Sequence, residues 1–414
     1  MGTSLAAHSE LTLCIFVDAF GWELAQRHPD FLADVLPVRA PLQTIFGYSC
    51  TCDPTILTGK LPRDHGHFSF FRYAPQDSPF RRAEISWLGK LPASITGRGR
   101  VRHHISKWLG KRLGYTGYFQ IYNMPFAYLP LFDYTEKRDL YQPQGINNGC
   151  PTIFDLLREG QTPFFCSDWR CGEDINFATL SDALQSQRPA PRFAYLYLAE
   201  MDGILHAEGT GSERVSRKIV EYDRRIRALL QEAAKHYERV RVFLFSDHGM
   251  TDVTRLCPLQ DRIAHTGLRF GQDYAAVYDS TMARFWFLKP EARERIGNAL
   301  CEEPDGAIVP DSTLREWGCD FPDRRYGELF FSLKPGVLLC PSFLGEKPLR
   351  GMHGYAPEHP DSTAFFATNA PEYSSRPPHR LDDLFALMRD ESGVSVVSPV
   401  SAPLAQPVGE RDAR

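Results

Sequence analysis

Three short apolar runs, each halted by an acidic side chain, constrain this chain more than any other feature. Leu11-Thr12-Leu13-Cys14-Ile15-Phe16-Val17 stops at Asp18. Phe193-Ala194-Tyr195-Leu196-Tyr197-Leu198 is followed by Glu200, Asp202 and His206, and Val240-Arg241-Val242-Phe243-Leu244-Phe245 by Asp247 and His248. Short apolar runs that end in polar loops read as interior strands of a parallel sheet. Between the second and third runs, Val215, Ile219, Tyr222, Ile226, Leu229 and Ala233 recur in steps of three and four, which is one apolar stripe of a helix. Strand, helix, strand is a βαβ unit, and open α/β sheets bind ligands beyond the carboxyl ends of their strands. The acids and imidazoles all fall there.

The expected fold is therefore α/β, with a mainly parallel sheet between helices. Pro151 to Gly160 reads as a further helix and Thr162 to Cys166 as a further strand. The core is expected in 10–75, 148–265 and 350–395. Two stretches break the pattern and read as insertions that cap the sheet edge. Residues 76–147 are rich in aromatic and basic side chains. Residues 266–349 hold a strand-like Ala283-Arg284-Phe285-Trp286-Phe287-Leu288, a helix near Glu291–Cys301 and a strand near Leu329–Leu333. The Pro/Ala-rich segment 398–414 reads as a disordered tail.

Composition narrows the function classes. With 414 residues, 43% of them hydrophobic and 24% charged, the chain can bury a large core, which excludes disorder and small disulfide scaffolds. Its formal charge of −4 excludes a general basic field for a nucleic-acid duplex. No apolar run reaches the roughly 18–20 residues that span a bilayer. Ten cysteines are scattered without a paired CxxC signature, and Met1 to Leu11 lacks a basic n-region. Reduced thiols in the cytoplasm are the expectation.

Asp18, Asp202, His206, Asp247, His248 and His353 are the candidate metal ligands, since carboxylates with imidazoles suit zinc or similar divalent ions. Any one alone is weak, because Asp-x-x-x-His fits any helix turn and Asp-His at a strand end is often a cap. Together they suffice for two ions with three ligands each. Ser49 lies in Gly47-Tyr48-Ser49-Cys50-Thr51-Cys52-Asp53-Pro54, where Asp53 and Pro54 read as a helix start. The positive end of that helix and a metal would both lower the Ser49 hydroxyl pKa. The bland alternative is a serine in a surface turn.

This set resembles the alkaline phosphatase superfamily, and most of all its nucleotide pyrophosphatase/phosphodiesterase branch. That branch carries its nucleophile nine residues before a Thr-Gly, followed by Pro and His-Gly; here these are Ser49, Thr58-Gly59, Pro62 and His65-Gly66. Ser246-Asp247-His248-Gly249-Met250-Thr251 and Met352-His353-Gly354-Tyr355 are similar to its metal motifs, and Asp202 to His206 to its acid-His loop. The resemblance spans about 10–260 and 350–370. It implies an alkaline-phosphatase-like core. It also implies one zinc held by Asp202, His206 and His353, and a second by Asp18, Asp247, His248 and the Ser49 oxygen, with manganese fitting the same ligands. Two dications against three aspartates leave +1, which favours an anionic phosphate ester. Ser49 would attack phosphorus to give a phosphoseryl intermediate that water then hydrolyses, and Thr51 is the fallback alcohol.

The resemblance departs in two places. Ser49 stands where the branch usually has Thr. The Asn expected shortly after His-Gly is replaced by His67-Phe68-Ser69-Phe70, where His67 or Ser69 is a candidate substitute. A phosphodiester or pyrophosphate is the expected substrate. Phosphomonoesterase and phosphomutase chemistry on the same core remain alternatives, as does a binding-only relative. A sulfatase would need Pro and Arg in the window after Ser49, which reads Cys50-Thr51-Cys52-Asp53. Residues 97–114 carry six Lys and Arg side chains with no acid. They read as a helix that steers an anionic substrate or touches an anionic membrane surface, or as a solvated face. Tyr115, Tyr118, Phe119, Tyr122, Phe126, Tyr128, Phe132 and Tyr134 read as pocket lining for a base or lipid chain, or as cap core.

Overall fold

The first apolar run takes an interior position in the sheet, as its unbroken hydrophobicity requires. The structure is a computed structural model that describes residues 8–82, 85–90, 98–186 and 189–394. Strands β1 (His8–Val17), β2 (Val38–Leu42), β3 (Phe164–Cys166), β4 (Phe193–Leu198), β5 (Tyr237–Phe245) and β6 (Ala364–Thr368) form one sheet in the order β2-β6-β5-β1-β4-β3. β1 pairs in parallel with β4 and β5, and β3 with β4; β6 runs antiparallel to both β5 and β2. The sheet is thus mainly parallel. Neither β2 nor β6 was read from the sequence.

Successive side chains of β1 go to opposite faces of the sheet. Leu11, Leu13, Ile15 and Val17 join one buried cluster, and Cys14 and Phe16 another. Four helices carry the motifs and periodic patterns read from the sequence: α1 (Ser49–Thr58), α2 (Gly99–Leu113), α3 (Glu200–Glu208) and α4 (Glu213–His236). The expected stripe of α4, Val215 to Ala233, is buried in the first cluster. Ile56 and Leu57 of α1 cover the other face with Ile153, Phe154 and Leu157. Both faces are sealed, which is why these strands lack polar alternation.

Beyond the large sheet, Tyr274–Tyr278, Met282–Phe287, Gly306–Val309 and Leu329–Leu333 form a second, antiparallel sheet. Its hydrophobic cluster also takes in Phe46, Tyr48 and Phe68 from near the candidate nucleophile, and Leu109, Phe126, Phe132 and Tyr134 from the aromatic-rich stretch. The two stretches that break the sequence pattern therefore share one body of packing. Segment 398–414, read as a tail, lies outside the described residues. All ten cysteines are free thiols. No helix among the described residues is long and apolar enough to cross a membrane.

One buried ion pair holds the second sheet against the strand after Ser69. Arg284 is fully buried; its Nε donates to Asp279 Oδ2 at 2.8 Å, and its two NH groups donate to Ser69 Oγ and to the carbonyls of Phe71 and Tyr326. Removing it strands Asp279 as a lone charge. Arg284→Met is expected to lower unfolding free energy by about 3–5 kcal/mol. Denaturant titration of the variant checks this; a loss under ~1 kcal/mol would mean that the pair is dispensable.

Candidate active site

Strand register sets the first part of the site. Val17 of β1 stands opposite Leu198 of β4, and Phe16 opposite Phe245 of β5. The three strands therefore stop level with one another. Asp18 and Asp247 emerge side by side: the Asp18 N–H donates to Leu198 O at 3.0 Å, and Ala19 N–H donates to Asp247 Oδ1 at 3.1 Å. Asp202 sits in the first turn of α3 and His206 one turn on, so their side chains share a helix face. His353 arrives from the distant loop after Gly351–Met352.

Two motif glycines are needed for close approach. A Cβ on Gly249 would lie 2.1 Å from Asp361 O. Gly354 has φ +88°, and its Cβ would lie 2.7 Å from Tyr48 Cε1. The glycine after each metal-motif histidine thus lets another segment pack against it.

The candidate nucleophile departs from expectation in its helix. α1 begins at Ser49 itself, not at Asp53, because Tyr48 O already accepts the Thr51 and Cys52 N–H groups at 2.6 and 3.0 Å. Pro54 lies inside the helix and forfeits only the bond its missing N–H would have made one turn back. Ser49 is consequently at the positive end of the helix. Its Oγ lies 3.1 Å from His248 Nε2. Thr51 is fully buried and donates to Phe68 O, so it has no access to a substrate.

Two trios of ligand atoms lie within 4.8 Å of one another: Asp202, His206 and His353, and Asp18, Asp202 and His248. Asp202 belongs to both. Asp247 Oδ2 is 3.0 Å from His248 Nε2. Two of the histidines are oriented by backbone carbonyls, which only accept. His206 Nδ1 donates to Gly351 O at 2.8 Å and His248 Nδ1 to Gly249 O at 2.9 Å, so each turns Nε2 into the cluster. These residues fit divalent ions on a direct observation: the buried oxygens Asp18 Oδ1, Asp202 Oδ1 and Asp247 Oδ2 crowd around imidazole nitrogens, at 3.9 Å from His248 Nε2, 3.2 Å from His206 Nε2 and 3.0 Å from His248 Nε2. Buried carboxylates are costly when only imidazoles balance them, and three in one cluster mark a place for cations.

The protonation pattern agrees. Burial, then the negative fields of Asp247 and Asp202, push the Asp18 carboxyl well up. Burial opposes charge on His248, yet Asp247, Asp18 and Asp202 override it and hold the imidazole up to about 9. Burial likewise opposes charge on Asp202, but His206, His353 and His248 keep it below the usual carboxylate range. Burial and the neighbouring His248 depress His353. On the protein groups alone, protons do the neutralising that dications would do.

The cluster opens into a cavity of about 500 Å³. Asp18, Ser49, Asp202, His206 and His353 line it. The aromatic-rich stretch divides: Tyr118 and Tyr122 line the cavity, whereas Phe126, Phe132 and Tyr134 are buried in the core. Neither proposed stand-in for the missing Asn lines it. His67 Nε2 accepts the Asn147 N–H at 3.0 Å, and Ser69 lies between Asp279 and Arg284. The two basic side chains that flank Pro62, Lys60 and Arg63, do not line the cavity either, and Arg63 pairs with Asp320. Glu200 accepts from Lys218. The basic run forms α2, with Arg102 turned inward to the Tyr122 and Met124 carbonyls and the other basic groups exposed. None of them lines the cavity.

Two participants were missed. Tyr197 Oη donates to Asp18 Oδ2 at 2.6 Å, fixing that carboxylate. Glu136 lines the cavity from the aromatic stretch. Tyr197 reads as one more apolar strand residue, and Glu136 as one loop acid among many, so neither carried a local signal.

A family model described as type I phosphodiesterase/nucleotide pyrophosphatase matches residues 12–356. The murine ectonucleotide pyrophosphatase/phosphodiesterase 5 structure superimposes with a TM-score of 0.65 at 15% identity, over 94% of this chain and 96% of that one. The human counterpart gives 0.66 at 15% identity, over 93% and 96%. An inactive variant of the murine protein in complex with AMP gives 0.66 at 15% identity, over 94% and 96%. No curated protein sequence matches the chain significantly.

Proposed function

The chain belongs to the type I phosphodiesterase/nucleotide pyrophosphatase family, and from that premise we propose that it cleaves a phosphodiester or pyrophosphate through Ser49. As a family member it is a phosphoric ester hydrolase. The finer reading has two ions, zinc or manganese, held by Asp202, His206 and His353 and by Asp18, Asp247 and His248, with the Ser49 oxygen. The observation that carries it is the gathering of the buried oxygens Asp18 Oδ1, Asp202 Oδ1 and Asp247 Oδ2 around His206, His248 and His353 beside the Ser49 hydroxyl.

When bound, two such ions supply charge neutralisation and polarise the phosphoryl oxygens. The chain's own groups do the rest. Ser49 Oγ is the attacking atom, and its P–O bond forms as the leaving oxygen departs on the opposite side. The phosphoseryl ester then yields to water, restoring the hydroxyl. The N–H groups of Ser49 and Cys50 have no acceptor among the described residues and stand at the helix start, as donors for a phosphoryl oxygen. They offer what His67 and Ser69 cannot. Tyr197 keeps Asp18 oriented while the charge on phosphorus changes.

A panel of p-nitrophenyl mono- and diesters and a pyrophosphate, assayed with and without chelator, tests this. Diester or pyrophosphate turnover should vanish on metal removal and return with zinc or manganese. Turnover that persists in exhaustively demetallated protein would remove the two-ion reading. A monoester as the preferred substrate would remove the diester one.

A further inference from the structure

The two longest helices among the described residues treat their charges in opposite ways. In α4, Arg217, Arg225 and Arg227 each bind an acid one turn earlier, Glu213, Glu221 and Asp223. Such pairs support a helix and keep its exposed face neutral. α2 contains no acid. Arg98, just before its first turn, and Arg100, Lys107, Lys111 and Arg112 along it are exposed, and none has an ion-pair partner among the described residues. Lys107 and Lys111 stand one turn apart and repel each other. Lys111 and Arg112 lie in the last turn, where cations favour a helix. That reason does not reach Arg98, Arg100 or Lys107.

The exposed cations form a ridge. Arg102, Ser106, Leu109 and Gly110 face inward and are buried, and Arg102 donates to the carbonyls of Tyr122 and Met124, which fastens the helix to the body of the protein. At 3.6 residues per turn, Arg100, Lys107 and Lys111 fall within about 40° of one another on the side turned away, along a helix about 22 Å long. Trp108 stands beside this row. Its indole is 52% exposed, and the Arg112 guanidinium lies 5.8 Å from the ring centroid. None of these side chains lines the cavity, so they do not grip the substrate.

The shape and the charge say what the ridge fits. A straight row of long cationic side chains suits an extended anionic surface rather than a single small anion. The whole chain carries a formal −4, so the residues outside this basic segment are more negative still, and only this face can approach such a surface. The indole separates the two extended anionic surfaces available. Against a nucleic-acid duplex it would stand among phosphates and water. At a phospholipid boundary an indole is at home, with cations beside it among the headgroups. We propose that α2 docks the protein on an anionic phospholipid surface, with Arg98, Arg100, Lys107, Lys111 and Arg112 among the headgroups and Trp108 at the interface. The contact is electrostatic and reversible, because Leu109 and its neighbours are committed to the protein core and the helix has no free apolar face to insert. The docking is independent of the phosphodiesterase reading.

Sedimentation of the full chain with lipid vesicles tests this. At physiological ionic strength, phosphatidylcholine vesicles with about one third phosphatidylglycerol should bind it at least about 100-fold more strongly than phosphatidylcholine alone. Lys107→Gln, Lys111→Gln and Arg112→Gln together should weaken that binding by at least about tenfold. The corresponding triple change to Glu should bring it down to the level of neutral vesicles. Trp108→Ala should bind more weakly while keeping the preference for anionic lipid. All these side chains are exposed, so thermal midpoints should stay near wild type; should the Glu variant unfold, the Gln variant decides. Equal binding of wild type to both vesicles, or undiminished binding by the folded Gln variant, overturns the inference. So does tighter binding to a nucleic-acid duplex than to the anionic vesicles at equal phosphate concentration. A lower kcat/KM of the Gln variant on a soluble anionic ester, with no vesicle binding by wild type, overturns it in favour of substrate steering.

Discussion

Ser49→Ala is expected to lower kcat/KM on a phosphodiester by roughly 10⁴-fold or more, the scale on which the loss of a nucleophile acts. The cause is local. Ser49 Oγ lies beside His248 Nε2 at the positive end of α1, and the neighbouring alcohol, Thr51, is buried and bonded to Phe68 O. Thr51 is therefore not placed to take over. Metal content, read by elemental analysis, should stay near wild type, because Asp18, Asp247 and His248 remain on one side and Asp202, His206 and His353 on the other. Full turnover in the alanine variant would end the assignment. Loss of metal along with activity would instead make Ser49 a ligand first and a nucleophile second. Rapid acid quench of the wild-type enzyme with labelled substrate should trap on Ser49 the phosphoryl group that still carries its second ester.

Asp202→Asn is expected to be the most damaging ligand substitution. Asp202 is the residue common to both trios, and His206 and His353 both approach its Oδ1, at 3.2 and 3.7 Å. Its ionised carboxylate also contributes to holding His248 high. An amide of the same shape removes a ligand charge from the ion beside His206 and His353 and weakens the field on the ion beside His248. We expect metal content well below one ion per chain and activity down by at least about 10³-fold. His206→Ala, which touches one trio only, should keep close to one ion. Equal metal content in the two variants would refute a shared role for Asp202 and favour two independent sites.

The legible part of this protein comes from local chemistry. A strand buried on both faces must be apolar along its length, so β1, β4 and β5 announce themselves, and the stripe of α4 does the same at helical period. An acid that ends an apolar run is equally conspicuous, so Asp18, Asp202, Asp247 and His248 could be named from sequence. The expectation for α1 failed for a definable reason. A proline in the first turn and one five residues in look alike in sequence, and only the carbonyl of Tyr48, already accepting from Thr51 and Cys52, distinguishes them. The stand-ins for the missing asparagine failed in a related way. Polar type marks His67 and Ser69, but whether a polar side chain faces substrate or a buried partner depends on packing from segments far along the chain.

What the sequence determined alone is the set of chemical groups and their order: three strands, three aspartates, three histidines and one serine, in segments that follow the apolar runs or open a helix. What only the tertiary structure decided is coincidence in space. Register set Asp18 and Asp247 level, the loop at His353 closed the cluster, and packing of the aromatic stretch turned Glu136, Tyr118 and Tyr122 into the cavity while sending Phe126 and Tyr134 to the core. Periodicity and strand ends are written within a few residues of themselves. Which distant side chains share a cavity is fixed by the balance of burial and pairing across the whole molecule, and no short stretch of sequence contains it.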